Sequence, residues 1–319
     1  MRREIIIGSR GSELALWQAQ FVKTRLAQQF PDRLFEIRII NTTGDQVLDL
    51  ALSKIGDKGL FTSQIETELQ SGAIDLAVHS LKDLQTEQPE GLIIGAVCAR
   101  EVPNDAFVSK IAGSIDDLPR GAKVATGSLR RKSQLLSYRP DLEIVDIRGN
   151  VPTRLRKFDE SDLDGLILAY AGLHRLGLDE RISQVIPFEI MLPAVGQGAV
   201  AVEVRDQDHG VRELMPSLDD IPTRTCITAE RAFLRRLEGG CQVPIGAHAT
   251  LENGQVKLEG MVGSLDGRVV YRERVNGPIA EAGNLGICLA ENLIKKGAAK
   301  LLDATRAEVE SALQTALLL

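Results

Sequence analysis

Six arginines in this sequence share one kind of place. Arg130 and Arg131 follow a strand pattern at 123–125 through Thr126-Gly127-Ser128 and open a helix. Arg148 follows a strand pattern at 142–147 and precedes Gly149-Asn150 and the next helix. Arg154 lies in the first turns of that helix, and Arg175 follows a strand pattern at 166–169 and Ala171-Gly172. Arg10, after a strand pattern at 4–7 and Gly8-Ser9, has the same place near the start of the chain. In α/β folds such positions converge on the carboxyl edge of a parallel sheet, where ligands bind. Helix N-termini there add N–H donors and a favourable dipole for anions. Guanidinium forks match carboxylates bidentately. Several anion donors at one edge imply a ligand with several carboxylates or phosphates. Neither GxxxxGK[ST] nor GxGxxG is present, so a nucleotide is disfavoured.

Two further residues could carry chemistry. Asp83, in His79-Ser80-Leu81-Lys82-Asp83, follows a strand pattern at 75–78. An aspartate beside arginines stays ionised, which suits a charge stabiliser and N–H acceptor better than a base at neutral pH. The plainer reading is that Lys82 and Asp83 only cap a turn. Cys241 follows Gly239-Gly240, just after a helix with Arg231, Arg235 and Arg236. A thiol on a Gly-Gly turn is accessible, and nearby arginines favour its thiolate. Cys98 and Cys288 sit in apolar sequence surroundings and Cys226 on a helix, so all three read as inert core. No Cys/His spacing resembles a zinc site, and His79, His174, His209 and His248 have no spacing that makes a cysteine-protease site. The stretch from Thr43-Gly44-Asp45 to Gly59-Leu60-Phe61, with Lys54 and Lys58, reads either as a mobile lid or as a surface loop with an embedded helix.

The elements that must position these residues alternate. Strand patterns at 4–7, 34–41, 75–79 and 92–98 flank a helix after Ser12, its apolar face marked by Leu14, Trp17, Phe21 and Leu26 with Ser12 as N-cap. After a break at EVPND (101–105), strands at 123–125, 142–147 and 166–169 alternate with helices at 129–138 and from Asn150. These are βαβ units. MLPAVGQGAVAVEV (191–204) is a Gly-rich turn entering a strand. From 223 the texture changes to a helix, three alternating strands at 245–251, 255–262 and 268–275 joined by Asn253-Gly254 and Asp266-Gly267, then helices near 279–297 and 303–317. The fold class is therefore two α/β domains plus a small C-terminal α+β domain, and the cleft between two α/β domains is a common ligand site.

Composition bounds the partner. Lys plus Arg is 38 against 44 Asp plus Glu, a net charge of −6, with twelve aromatics. That disfavours a nucleic-acid binder, which needs a basic footprint and stacking platforms. Yet residues 121–157 hold nine basic residues against three acidic. Lys132, Arg139, Arg156 and Lys157 among them read as solvated surface. No apolar run is long enough for a membrane span or a signal peptide, so the expected location is the cytoplasm.

Longer motifs coincide with these positions: GSRGSELALWQA (8–19), TTGD, KGLF (58–61), DLAVHSLKDL (75–84), CAREVPNDAFVS, GSLRR (127–131), DIRGNVPTRL (146–155), ILAYAGLHRLGL, LPAVGQGAVAVE (192–203) and AERAFLRRLEGGCQVPIGA (229–247). In order, and over nearly the whole chain, they resemble the porphobilinogen deaminase (hydroxymethylbilane synthase) family. GGCQVPIG together with VGQGA and SLKDL is the specific part of that likeness. The resemblance implies two domains similar to type II periplasmic binding proteins, residues 1–99 with 199–217 and residues 104–193, and a third domain at 222–319. It implies a transferase with a self-assembled dipyrromethane cofactor joined by a thioether to Cys241. Four porphobilinogen molecules are condensed head to tail, each losing ammonia, and water releases the linear tetrapyrrole hydroxymethylbilane.

By the same resemblance Asp83 is catalytic, stabilising the azafulvene cation left by ammonia. Arg10, Arg130, Arg131, Arg148, Arg154 and Arg175 bind the acetate and propionate groups, assisted by Ser12, Lys54, Ser80, Lys82 and Ser128. No metal is implied. The implied protein is a monomer that passes its product to uroporphyrinogen-III synthase. Gly127 departs from the family pattern, where Ser is usual, and Gln85 replaces a usual Pro after KDL. A solute-binding protein and a nucleic-acid binder are the rival readings; GGCQV opposes the first, low aromatic content the second.

Overall fold

The computed structural model describes residues 4–42, 62–237 and 243–317. The chain divides into two units. The first holds residues 4–42, 62–101 and 198–224. Its sheet contains β1 (Glu4–Ser9), β2 (Leu34–Ile39), β3 (Leu76–Ser80), β4 (Leu92–Val97) and β10 (Val200–Arg205), in the order β2-β1-β3-β10-β4. β1 runs parallel to β2 and β3, and β10 runs antiparallel to β3 and β4. Helices α1 (Glu13–Gln29) and α2 (Ser63–Ser71) join them. Ile5, Ile7, Leu76, Val78, Val202 and Val204 meet Ala19, Val22 and Leu26 of α1 in one core. Ile40, Ile65, Leu69, Ile74 and Ala77 form another. A sheet buried on both faces needs unbroken apolar runs rather than alternation, hence EIII, LAV and VAV.

The face of α1 differs from the one its large residues predict. Its buried side is Ala15, Gln18, Ala19, Val22 and Leu26, while Trp17 is exposed and stacks on Phe21 at 5.6 Å. Small residues let the helix approach the sheet closely, while Phe21 packs at the edge of the core and carries Trp17 on its outer side as an i, i+4 pair. Ser12 is the N-cap, its hydroxyl accepting from the Ala15 N–H at 3.4 Å.

The second unit holds residues 102–197 and 225–317. Its larger sheet comprises β5 (Asp105–Ser109), β6 (Lys123–Ala125), β7 (Glu143–Val145), β8 (Gly165–Ala169) and β9 (Gln184–Val185), in the order β7-β6-β8-β5-β9. β6 is parallel to β7 and β8, and β5 antiparallel to β8 and β9. Each large sheet thus has a parallel trio along one side and an antiparallel strand beside it. Helices α3 (Leu129–Tyr138), α4 (Val151–Asp159) and α5 (Tyr170–Arg175) follow the three parallel strands. Ser128 and Asn150 cap α3 and α4, accepting from the N–H groups of Arg131 and Thr153. The break predicted at 101–105 ends one residue earlier, because Asp105 already belongs to β5.

The unit also contains the expected α+β region. β11 (Ile245–Glu252), β12 (Gln255–Gly263) and β13 (Val270–Pro278) form an antiparallel meander. At its first turn Asn253 and Gly254 both take positive φ, 51° and 74°, as a type I′ hairpin requires. Helices α6 (Ile221–Arg236), α7 (Ala282–Lys296) and α8 (Ala298–Leu317) accompany it, with Phe233, Leu258, Leu289 and Leu293 in the core. α8 starts five residues before the predicted 303, directly after Gly297 ends α7. Cys98 and Cys226 are buried, as expected. Cys288 is instead exposed, because Gly286, Leu289, Ala290 and Leu293 set the inward face of α7.

Ala19→Leu should destabilise the protein by about 1–3 kcal/mol through overpacking, and Trp17→Ala by no more than about 1 kcal/mol. Urea unfolding followed by circular dichroism measures both; equal losses would contradict this orientation of α1.

Candidate functional site

In the second unit the arginines at the ends of β6, β7 and β8 fall into two kinds. Arg130 and Arg131 are buried. Both reach Asp105, itself without solvent exposure. Arg130 Nη1 donates to Asp105 Oδ2 at 2.6 Å and to the Leu192 carbonyl at 2.7 Å. Arg131 Nε and Nη2 donate to Asp105 Oδ1 at 3.1 and 2.8 Å, and its Nη1 to the Ile167 carbonyl at 3.0 Å. Gln197 Nε2 adds a further bond to Oδ1 at 2.9 Å. Gln134 belongs to the same cluster, donating to Leu192 O and accepting from Leu192 N–H.

Burial alone would raise the Asp105 pKa, but the two guanidiniums outweigh it and hold the carboxyl well below the usual carboxylate range. Burial pushes the Arg130 pKa down, opposed by Asp105. One carboxylate against two guanidiniums leaves a surplus positive charge in a buried place. Nε and Nη2 of Arg130 make no hydrogen bond among the described residues. Such a cluster suits a carboxylate ligand, which would supply the missing negative charge and use the open edge.

Arg148, Arg154 and Arg175 are the second kind, half-buried. Arg148 lies in the loop after β7, where burial lowers its pKa against the pull of Asp146. Arg154 is on α4 and Arg175 is the last residue of α5. Of the arginines read as surface, Arg156 is exposed as expected, and Arg139 is a structural clamp instead. Arg139 holds Asp141 and the Ile115 and Leu118 carbonyls, and Arg156 pairs with Glu160 four residues on. At Gly127 an added Cβ would lie 2.9 Å from Asp146 Oδ1 and 3.0 Å from the Ile147 carbonyl. The glycine therefore lets the loops after β6 and β7 approach each other.

In the first unit, β1 and β3 end side by side. Arg10 is the residue after β1, and Ser12 caps α1. Ser80 ends β3, and a 3₁₀ turn, Leu81–Asp83, follows. Gln18 of α1, buried, donates from Nε2 to Ser80 Oγ at 2.8 Å and accepts from that hydroxyl at 3.2 Å. Lys82 is half-buried and Asp83 exposed. The Asp83 carboxylate makes no hydrogen bond or ion pair among the described residues, so it caps nothing there. Lys54, Cys241 and the 43–61 stretch read as a lid lie outside the described residues. Among the described residues there is no cluster of metal-ligating side chains, and no helix long and apolar enough to cross a membrane.

Asp105, Gln197 and Gln18 are the residues that sequence patterns missed. Their partners lie 25, 92 and 62 residues away, beyond any periodicity.

Residues 5–213 match the family model "Porphobilinogen deaminase, dipyromethane cofactor binding domain", and residues 224–295 match "Porphobilinogen deaminase, C-terminal domain". A porphobilinogen deaminase of Pelotomaculum thermopropionicum is 54% identical over 308 residues, covering 97% of this chain and 99% of its own. One from Carboxydothermus hydrogenoformans is 51% identical, covering 96% and 98%. Among solved structures, the methionine-binding protein MetQ aligns with a TM-score of 0.44 at 16% identity, over 67% of this chain and 89% of its own.

Asp105→Ala should destabilise the protein by about 3–5 kcal/mol, because it strands two buried guanidiniums. Since the Asp105 pKa is depressed in the folded state, its contribution is complete above the unfolded value of about 3.9 and is lost only as pH falls through the depressed value. The stability difference between parent and variant, from denaturant unfolding, should be flat between about pH 8 and about pH 5. A difference that shrinks steadily across that range would contradict the assignment.

Proposed function

The chain belongs to the porphobilinogen deaminase family, and from that membership and the site's geometry we propose which of its residues carry the family's work. The family's enzymes are transferases of tetrapyrrole and haem biosynthesis. They condense four porphobilinogen molecules head to tail, with loss of ammonia, on a covalently bound dipyrromethane, and release hydroxymethylbilane by hydrolysis. The cofactor, when bound, supplies the electron-rich pyrrole carbon that starts the chain.

Cys241 is the attachment point in this reading. Arg130 and Arg131, with Arg148, Arg154, Arg175 and Arg10, hold the acetate and propionate groups. The buried surplus charge at Asp105 is the observation that carries the assignment, since a dicarboxylate pyrrole supplies the negative charge it lacks. Ser12, Ser80, Ser128, Lys54 and Lys82 contribute further donors. Capping occupies a hydroxyl lone pair on Ser12 and Ser128, yet leaves each O–H to donate. Asp83 keeps its carboxylate unpaired for the pyrrole N–H groups, where it stabilises the cation formed as ammonia leaves. The division at 1–99 with 199–217, 104–193 and 222–319 completes the reading. So do a monomeric state, a cytoplasmic location and delivery of the product to uroporphyrinogen-III synthase.

The intact mass of the purified chain should exceed its sequence mass by two pyrrole units, and Cys241→Ser should lack the increment. An unmodified chain that is fully active would overturn this reading. Asp83→Asn should keep the increment but lose about 10²–10³-fold in kcat, measured by single-substrate turnover of porphobilinogen; near-normal turnover would remove Asp83 from the reaction.

A further inference from the structure

Next to the Ser80–Asp83 turn, the first unit buries three titratable side chains that the assignments above leave without a task. His79 is the last fully buried residue of β3. Glu203 lies on β10 opposite Ala77, on the same face of the sheet as His79. His79 Nε2 and Glu203 Oε2 are 3.3 Å apart, with side chains 4% and 0% exposed. Glu66, buried in the first turn of α2, faces both. Burial raises the Glu66 pKa and Glu203 adds to the rise, while Thr62 and His79 oppose it. Around them the surfaces are apolar, with Ile65, Leu69, Ile74 and Ala77.

This arrangement is a poor way to stabilise a sheet. His79 Nε2 and both Glu203 oxygens make no aligned hydrogen bond among the described residues. Buried polar groups without such bonds do not offset their own desolvation, and apolar residues of similar size serve stability as well or better. Its effect is better sought in what it adjoins. One residue after His79, Ser80 pairs with Val200 and exchanges hydrogen bonds with Gln18. The Leu81 N–H then donates to the Ala199 carbonyl at 3.0 Å, and the Leu84 N–H closes the turn on Leu81 O. Asp83 hangs on that turn.

We propose that the His79–Glu203 pair positions the Ser80–Asp83 turn, drawing the end of β3 against β10 so that the Asp83 carboxylate is held where it acts. His79 and Glu203 are positioning residues, acting through the backbone of β3. The inference rests on the assignment of Asp83 given above. A displacement of about 1 Å at a reacting group can cost about 10²-fold in rate, so a small shift of the turn is sufficient.

The test replaces both partners with apolar residues of similar size in the full-length, cofactor-loaded chain. His79→Leu with Glu203→Leu should fold with a urea midpoint at or above the parent's and should carry the two-pyrrole mass increment. KM should stay within about twofold while kcat falls about tenfold or more. In an Asp83→Asn background the same pair should lower kcat little further. Parental kcat in the folded, loaded double variant, or a full further loss in the Asp83→Asn background, would overturn the proposal. If the double variant does not fold, His79→Gln and Glu203→Gln decide it. Each must lower kcat and their effects must not add; additive or absent effects overturn it. Normal turnover by Asp83→Asn alone is a separate result, the failure of the Asp83 assignment.

Discussion

Asp105 is the constraint on which the second unit's chemistry depends. One carboxylate with no solvent exposure receives two guanidiniums that sequence alone would leave pointing outward from a helix N-terminus. An isolated arginine cannot be buried charged; a carboxylate shared between two makes it feasible, and hydrogen bonds to Leu192 O and Ile167 O satisfy further donors, leaving the Nε and Nη2 edge of Arg130 open. Because a single negative charge cannot neutralise two positive ones, the cluster remains electropositive in a medium that screens poorly. Positive charge is thus fixed in position before any anion arrives, and its attraction is stronger than that of solvated surface arginines.

The clasp is tied to the rest of the unit by one short turn. Gln197, which donates to Asp105, follows Gly196. The Gly196 N–H is held by Glu230 Oε2 at 2.9 Å, and the other oxygen of Glu230 accepts from Ala249 N–H on β11. Glu230 lies on α6, the helix whose chain continues toward Cys241. A series of hydrogen bonds therefore runs from α6, through the VGQG turn, to the two arginines. The first unit, taken by itself, carries the opposite kind of group at the ends of its own parallel strands: an exposed, unpaired carboxylate at Asp83 and a hydroxyl at Ser80 oriented by Gln18.

What sequence made legible is what local physics decides. Ser12 reads as an N-cap because capping involves a neighbour three residues away, and it does cap; Ser128 and Asn150 cap their helices in the same way. The hairpin dipeptides and the strand-end placement of the arginines are equally local. The rest depended on distant partners. Asp105 looked like part of a break because EVPND is rich in turn-formers, yet its carboxylate is fixed by residues 25, 26 and 92 positions away. The apolar face of α1 was misjudged at Trp17 because residue size was weighted above fit: Ala15 and Ala19 face the sheet, and Trp17 stacks on the outer side of Phe21. Cys288 reads as core within an apolar stretch, and only the inward face chosen by Leu289 and Leu293 turns it outward.

Gly127 shows how a departure from the family pattern can be tied to local geometry. With glycine there, Asp146 Oδ1 and the Ile147 carbonyl come to 2.9 and 3.0 Å from where a Cβ would stand, so a serine would have to turn the Asp146 carboxylate aside and shift the Ile147 carbonyl slightly. That loop carries Arg148, whose charge Asp146 supports. A hydroxyl at 127 and the present seat of Asp146 are therefore mutually exclusive. Glycine at 127 offers no hydroxyl near the α3 N-terminus, and it leaves room for the Asp146–Arg148 loop to lie against the segment that leads into Arg130 and Arg131.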